Sequence, residues 1–395
     1  MDSFNLSFSD TKEAFKHKSD AELNKSKLIF SIFKFSFLVN HGPALTSFAL
    51  KLRLPVKGII KSTVFGQFCG GETIDECDET VSKLWENKVG AILDYSVEGD
   101  ESDENFDQNA AEIMHTITKA KGKPYYPFCV FKPTGIGRFG LLEMLDAGKK
   151  LDSNELDEYY RFKGRFESIC KTAAENDVRL FIDAEESWIQ QGVDNLANEM
   201  MATYNKKKTL IFNTVQLYRK DRVEFIRKSI GDAREKGYYI GFKLVRGAYL
   251  EKETERSLEM NYPNPIQDSK LNSDNDYNDA LRLCFENRDC TSICAGTHNE
   301  ESSLILAKLL HEAGIENGDQ RFWFAQLYGM SDNISFNLAP HGYNVAKYVP
   351  YGPIKSVIPY LGRRAKENSS MSGQMGRELS LIVQELKRRH SKEKG

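Results

Sequence analysis

From about residue 89 onward, short apolar or β-branched runs alternate with longer amphipathic, charge-rich segments. The runs occupy residues 90–95, 128–132, 178–183, 209–215, 239–245, 291–295, 321–326 and 344–348. Each is followed by a segment with helical spacing, such as 155–176 after the second run and 300–313 after the sixth. Strands alternating with helices predict a parallel sheet. Eight such units in one chain predict an α/β protein with a closed (β/α)8 TIM barrel better than an open sheet.

The first 88 residues follow a different pattern and predict helices. They hold a polar arm, a strongly apolar stretch from Leu28 to Val39, and a Gly/Cys-rich turn at 66–71 that leads into 73–79. The apolar stretch is short and is interrupted by Ser31, Lys34 and Ser36, so it cannot span a bilayer as one helix. It reads as a buried helix or as a segment touching a membrane surface. The expected organisation is a helical arm over 1–88, a barrel over 89–380 and a basic tail over 381–395. The tail holds Lys387, Arg388 and Arg389, followed by Lys392 and Lys394, which form a solvated helix end or meet acidic lipid.

Composition narrows the partners. With 54 basic and 57 acidic residues and a net charge of -3, no global field draws the chain to nucleic acid, and any anion site must be local. The seven cysteines form no CxxC pair and no zinc spacing, and their odd number argues for a reducing compartment and against a disulfide framework. No metal site is expected. The N-terminus carries acidic residues early and lacks a basic-then-apolar signal or an organelle presequence, so a cytoplasmic location is expected.

Chemistry in such barrels sits at the C-terminal ends of the strands, and here those ends are polar. They carry Asp94 and Glu98, Lys132, Asp183, Gln216, Arg246-Gly-Ala-Tyr249, Thr297-His-Asn299, Gln326 with Tyr328, and Tyr348. Gly135-Ile-Gly-Arg-Phe-Gly140 matches GxGxxG after a strand, but Pro133 abuts the strand end and the acids that follow at about the right distance sit at a helix start and not at the tip of a second strand. It reads as a flexible loop over the barrel mouth. In Lys243-Leu-Val-Arg-Gly-Ala-Tyr249 the Gly-Ala pair lets a phosphate or a flat ring approach the backbone. Thr297-His-Asn299 adds donors one strand later, and the two together point to a cofactor. Of Asp183, Glu185 and Glu186, the last two fit the acidic first turn of the next helix, leaving Asp183 at the strand tip.

The segment Tyr360-Leu-Gly-Arg-Arg-Ala-Lys-Glu-Asn368 places two guanidiniums and a carboxylate on one helix. Pro359 suits its first turn, and Leu361 with Ala365 marks an apolar face. Glu367 can steer either arginine while both reach a common point, an arrangement suited to a small carboxylate ligand.

Taken in order, these motifs resemble the proline dehydrogenase family over about residues 89–368: 92–98, Phe131-Lys132, 182–186, 213–216, 243–249, Thr297-His-Asn299, Gln326-Leu-Tyr-Gly-Met330 and 360–368. The resemblance is to the monofunctional form. It implies FAD at the barrel mouth, hydride transfer from C5 of L-proline to flavin N5, 1-pyrroline-5-carboxylate as product, and electrons passed to a membrane quinone. A separate aldehyde dehydrogenase would take the product, and contact with the membrane would be peripheral. Carried over by residue, Lys132, Arg363 and Arg364 bind the substrate carboxylate, Asp183 is the acid beside them, Tyr348 closes over the ring and Leu327 packs against substrate. The position of Glu98 just after the first strand adds the expectation that it pairs with Arg363 to gate the site. Ala184, Gln216, Lys243, Val245, Arg246, Gly247, Ala248, Thr297, His298, Asn299 and Glu367 line FAD or hold its neighbours, with Lys243 placed to stabilise reduced flavin. Relatives that use hydroxyproline carry a smaller residue at the Tyr348 position, and Leu250 stands where some relatives place a tryptophan. The alternatives are a hydroxyproline dehydrogenase, another FAD barrel such as a methylenetetrahydrofolate reductase, and a non-catalytic amino-acid-binding barrel.

Overall fold

The computed structural model describes residues 4–33, 42, 55–95, 101–370 and 372–392. Its strands are β1 (Val89–Tyr95), β2 (Phe128–Phe131), β3 (Arg179–Ile182), β4 (Ile211–Gln216), β5 (Ile240–Val245), β6 (Thr291–Gly296), β7 (Phe322–Leu327) and β8 (Val345–Tyr351). They form one eight-stranded sheet in the order β1-β8-β7-β6-β5-β4-β3-β2, and a helix follows every strand. This is the (β/α)8 class expected from the sequence. The strands fall where the pattern places them, with β8 running three residues beyond the expected 344–348. Contacts divide the chain into residues 100–325 and residues 1–99 with 326–395, which are taken in turn.

In residues 100–325, β2 to β6 pair in parallel register, with Val130 opposite Phe181, Phe181 opposite Phe212, and Thr214 opposite Lys243. Alternation along each strand puts Phe128, Phe181 and Phe212 on one face. The Phe128 and Phe181 rings stack at 4.2 Å, and Phe212 meets Phe181 edge-on at 5.6 Å. Gly241 makes room for them, since a Cβ there would stand 2.6 Å from the Phe212 ring. The next positions on that face along β3, β4 and β5 are Asp183, Thr214 and Lys243. An aromatic layer therefore carries a polar layer toward the strand ends.

In residues 1–99 with 326–395, β1 and β8 pair in parallel from Val89 opposite Val345 to Tyr95 opposite Tyr351. The helix Asp20–Ile32 opens with a Ser19/Glu22 capping box, and at its end Ile29, Phe30 and Phe33 are buried while Leu28 is 60% exposed. Residues 34–39 of the expected apolar stretch lie outside the described residues. Those buried side chains join Phe15, Phe68, Val357, Ile358, Leu361, Leu381, Ile382 and Leu386 in one core, so the amino-terminal helices and the carboxyl-terminal helix Ser372–Lys392 fold together. Residues 381–392 are part of that helix, where Glu385 binds Arg388 and Arg389 at 2.7 and 2.8 Å. No described helix is long and apolar enough to cross a membrane.

Pro359 is inside the helix Ile354–Ser370, not in its first turn. The helix starts directly after Pro353, whose carbonyl accepts from the Ser356 and Val357 amides at 2.8 and 3.2 Å. Ile354, Val357, Ile358 and Leu361 form a buried stripe at i, i+3, i+4 and i+7. Their burial carries the helix through the exposed Pro359 ring at the loss of one backbone hydrogen bond.

Candidate functional site

In residues 100–325, Asp183 is the residue on which the strand ends converge. Its amide continues the β2–β3 ladder by donating to Phe131 O at 2.9 Å, which fixes the carboxylate just beyond β3. Lys243 Nζ donates to Asp183 Oδ1, Thr214 Oγ1 donates to the same oxygen at 3.4 Å, and Lys132 Nζ stands 3.8 Å from Oδ2. Asp183 and Lys243 are 8% and 6% exposed, so this ion pair is largely out of water, whereas the Lys132 side chain is 35% exposed. A buried carboxylate needs such a partner, because desolvation of an unpaired charge costs several kcal/mol, on the order of 3–5 when one partner is removed. The structure thus brings together Lys132, Asp183 and Lys243, three of the residues expected to act at the site.

Glu185 and Glu186 are not solvated residues of a helix start. The helix Ser187–Tyr204 begins after them, and both carboxylates are buried. Glu185 accepts from the Thr134 amide at 3.0 Å and from its hydroxyl at 2.5 Å, and Gln216 Nε2 donates to the Glu185 carbonyl at 2.6 Å. Burial pushes the Glu185 carboxyl up to about 7, against the Thr134 hydrogen bonds and the Lys132 charge, with Glu186 adding repulsion. Glu186 is paired with Lys252 at 2.7 Å. Glu185 therefore ties the turn after Lys132 to the segment after Asp183. The sequence reading missed this role, for which the only signal was a second acid two residues beyond the strand-tip acid.

Gly135–Gly140 is also more tightly built than the loose loop expected. Ile136 is fully buried, a Cβ on Gly137 would meet the Phe162 ring at 2.3 Å, and Arg138 holds Glu158 through two bonds of 2.8 and 2.7 Å. Gly137, the middle glycine of the motif, is thus used for packing against an aromatic ring.

Beyond β5 and β6, Arg246 donates to Asp274 at 2.5 Å, Thr297 Oγ1 at 2.7 Å and Ser302 Oγ at 3.0 Å, and lies 4.5 Å from the centre of the Tyr277 ring. Thr297 also accepts from the Asn299 amide at 3.1 Å, while the Asn299 side chain caps the helix Glu300–Glu312 by accepting from Ser302 N at 2.9 Å. Gly247, at φ 138°, and Ala248 are exposed, and Ala184, Val245 and His298 are half-buried. A held guanidinium beside bare backbone at two strand ends suits a large anionic cofactor, and the donor set fits the phosphates of a dinucleotide.

In residues 1–99 with 326–395, Leu327 is half-buried at the end of β7, whereas Tyr348 is half-buried in the middle of β8 and not at the strand end expected, because β8 continues to Tyr351; Tyr348 O accepts from the Tyr328 amide at 2.8 Å. Arg363 and Arg364 differ although adjacent: Arg363 is exposed, whereas Arg364 is 9% exposed with its guanidinium 5.1 Å from the Tyr360 ring centre. Glu98 and the Glu367 side chain lie outside the described residues.

The same unit holds a charge cluster that the sequence did not reveal. Asp332 accepts from Lys18 at 2.7 Å and pairs with Lys347 at 2.9 Å and His17 at 3.7 Å, while Glu378 accepts from the Ser331 amide. Burial alone would raise the Asp332 carboxyl, but the two ammoniums hold it well below its ordinary value. Burial and Asp332 push Glu378 up to about 7. No group of His, Cys, Asp and Glu able to hold a metal occurs among the described residues.

Fold and polar strand ends define a barrel enzyme. The sequence profile of the family described as Proline dehydrogenase matches residues 77–377, and the chain belongs to that family. It is an oxidoreductase acting on proline, with the flavin-type chemistry of its family. Proline dehydrogenase 2, mitochondrial, of Arabidopsis thaliana is 30% identical over 97% of this chain and 90% of that protein. Hydroxyproline dehydrogenase of Xenopus laevis is 31% identical, again over 97% of this chain and 90% of the relative. Among solved structures, proline utilization A from Bdellovibrio bacteriovorus inactivated by N-propargylglycine superposes with a TM-score of 0.73 at 19% identity, over 93% of this chain. This chain spans 41% of that protein, and the likeness concerns the fold. The plant relative's mitochondrial name does not match the cytoplasmic location expected from the N-terminus.

Proposed function

We propose that the protein oxidises L-proline to 1-pyrroline-5-carboxylate as the first step of proline breakdown. The observation that carries this reading is the cluster of Lys132, Asp183 and Lys243 at the ends of β2, β3 and β5: a buried carboxylate held by one buried ammonium, with a second, half-exposed ammonium turned to the same group. Lys132 is the part of it that a substrate carboxylate can reach. Asp183, neutralised by Lys243, holds Lys132 without cancelling its charge.

FAD, bound at the ends of β4 to β6, would accept the hydride from C5 at its N5. Arg246, Thr297 and His298 would meet its phosphates, with Gly247 and Ala248 giving access to backbone, while Ala184, Gln216 and Val245 line it. Asn299 serves it indirectly by capping a helix. Lys243 carries the positive charge that favours extra electron density on a nearby ring. Arg363 and Arg364 bind the proline carboxylate as charge-assisted donors, Glu367 steers them, Glu98 gates Arg363, and Leu327 and Tyr348 contact the pyrrolidine ring. The chain acts as a helical arm over 1–88, a catalytic barrel over 89–380 and a basic end, with electrons leaving to a quinone through peripheral contact with the membrane that holds it. A separate aldehyde dehydrogenase consumes the product. The location follows the quinone and not the N-terminal composition.

Deuterated substrates test the reaction. Proline carrying deuterium at C5 should slow reduction of the flavin, whereas deuterium at Cα should not. A primary isotope effect from Cα and none from C5 would overturn the reading.

A further inference from the structure

The turn that follows β7, residues 328–331, carries Leu327 at its entrance and is held by segments distant in sequence. Tyr328 N donates to Tyr348 O on β8 at 2.8 Å, Gln67 Nε2 donates to Gly329 O at 3.0 Å, Lys347 Nζ donates to Met330 O at 2.5 Å, and Ser331 N donates to Glu378. Asp332 then opens the helix Asp332–Leu338, every residue of which is buried. The cover over that helix is the amino-terminal segment. Phe8 O and Asp10 O each accept from an asparagine on it, Asn333 and Asn337, at 3.2 Å, and His17 stacks on Phe336 at 3.8 Å. Lys18 delivers its ammonium to Asp332 at 2.7 Å. The segment is locked from its other side by Arg389, which donates to Phe15 O at 2.8 Å, Lys18 O at 2.9 Å and Asp20 at 2.7 Å.

Asp332 is thus shared between Lys18, from a segment that precedes the family match at residue 77, and Lys347, the neighbour of Tyr348 on β8. A buried carboxylate between two ammoniums has few alternative arrangements, because moving any one charge leaves the others desolvated and unpaired. Lys347 is fully buried and bridges Asp332 to the turn's own carbonyl, so the position of the turn and the direction of β8 depend on one network.

We infer that Lys18 is a positioning residue for substrate recognition, acting through Asp332 and Lys347 to set the turn after β7 and the Tyr348 backbone. The inference rests on the proposed contact of Leu327 and Tyr348 with the pyrrolidine ring. It assigns a task in the site to the amino-terminal arm, which would otherwise be only a cover for the core.

The test uses the full-length protein reconstituted with FAD, as wild type, Lys18→Met and Lys18→Arg. Hydrogen exchange at the Tyr328 and Ser331 amides should accelerate about tenfold in Lys18→Met and be restored in Lys18→Arg, the size expected of coupling through a packed network. The ratio of kcat/KM for proline to that for 4-hydroxyproline should fall with it while flavin content is unchanged. Unaltered exchange at these amides, or equal loss of activity toward both substrates together with a lowered Tm, overturns the inference. Tyr348→Ala is the separate control: an unchanged substrate ratio there refutes the contact of Tyr348 with substrate, while the exchange measurement still decides whether Lys18 holds the turn. Should Lys18→Met fail to fold, Lys18→Gln is measured against the same criteria.

Discussion

Lys243, within β5, donates to Asp183 just beyond β3, joining residues 60 positions apart in a nearly dry ion pair at the strand ends. Neither residue would be tolerated at its depth without the other. Lys243→Met leaves Asp183 buried, with Lys132 Nζ 3.8 Å from its carboxylate. A loss of about 3–5 kcal/mol of stability is expected. Chemical denaturation measures it, and a change under about 1 kcal/mol would show that the pair contributes little.

Glu185 makes a prediction for stability against pH. Its carboxyl titrates near 7 in the folded chain against 4.5 for a free glutamate, so between these values the folded protein binds more proton than the unfolded chain. Stability then falls as pH rises through that window. Glu185→Gln keeps an acceptor for the Thr134 amide and removes the titration, so its stability curve should be flatter between about pH 4.5 and 7. Parallel curves for the two proteins would contradict the assignment.

The pattern of the chain was sufficient for the barrel because a period of two followed by a period of 3.6, repeated, has few other solutions. Lys132, Asp183 and Lys243 could be nominated because strand ends are where barrels hold polar residues. That Glu185 is bound to Thr134 could not be read, since an acid before a helix is ordinarily explained by the helix dipole. The Asp332 cluster was hidden for a plainer reason: Lys18 and Asp332 are 314 residues apart, and an isolated lysine in a polar arm carries no mark of its partner. Pro359 misled by its local preference, which the buried stripe from Ile354 to Leu361 overrides.

Gly329 is a position that only glycine fits. Its φ is 76°, and a Cβ would lie 2.0 Å from Gln67 O. Gly329→Ala should cost well over 1 kcal/mol, more than a strained left-handed alanine alone, because the backbone of residue 67 must move. Thermal unfolding measures it, and an unchanged Tm would mean that the two segments are not in contact in solution.

The contrast between exposed Arg363 and buried Arg364 predicts unequal effects of substitution. Arg364→Met should raise the KM for proline about 10- to 100-fold, the worth of a charge-assisted hydrogen bond in a partly desolvated site, with flavin retained. Arg363→Met should act through the same parameter and by less. Steady-state kinetics with flavin content measured in parallel decide, and unchanged KM in both variants would remove these arginines from the site.

The central claim, a flavin barrel that takes electrons from proline, is tested most directly by an anaerobic titration of the purified, FAD-loaded protein with L-proline while the visible flavin bands are followed. The account predicts that they bleach, and that bleaching is lost in Lys132→Met at the same proline concentration. Binding of proline with the flavin spectrum left oxidised would contradict it.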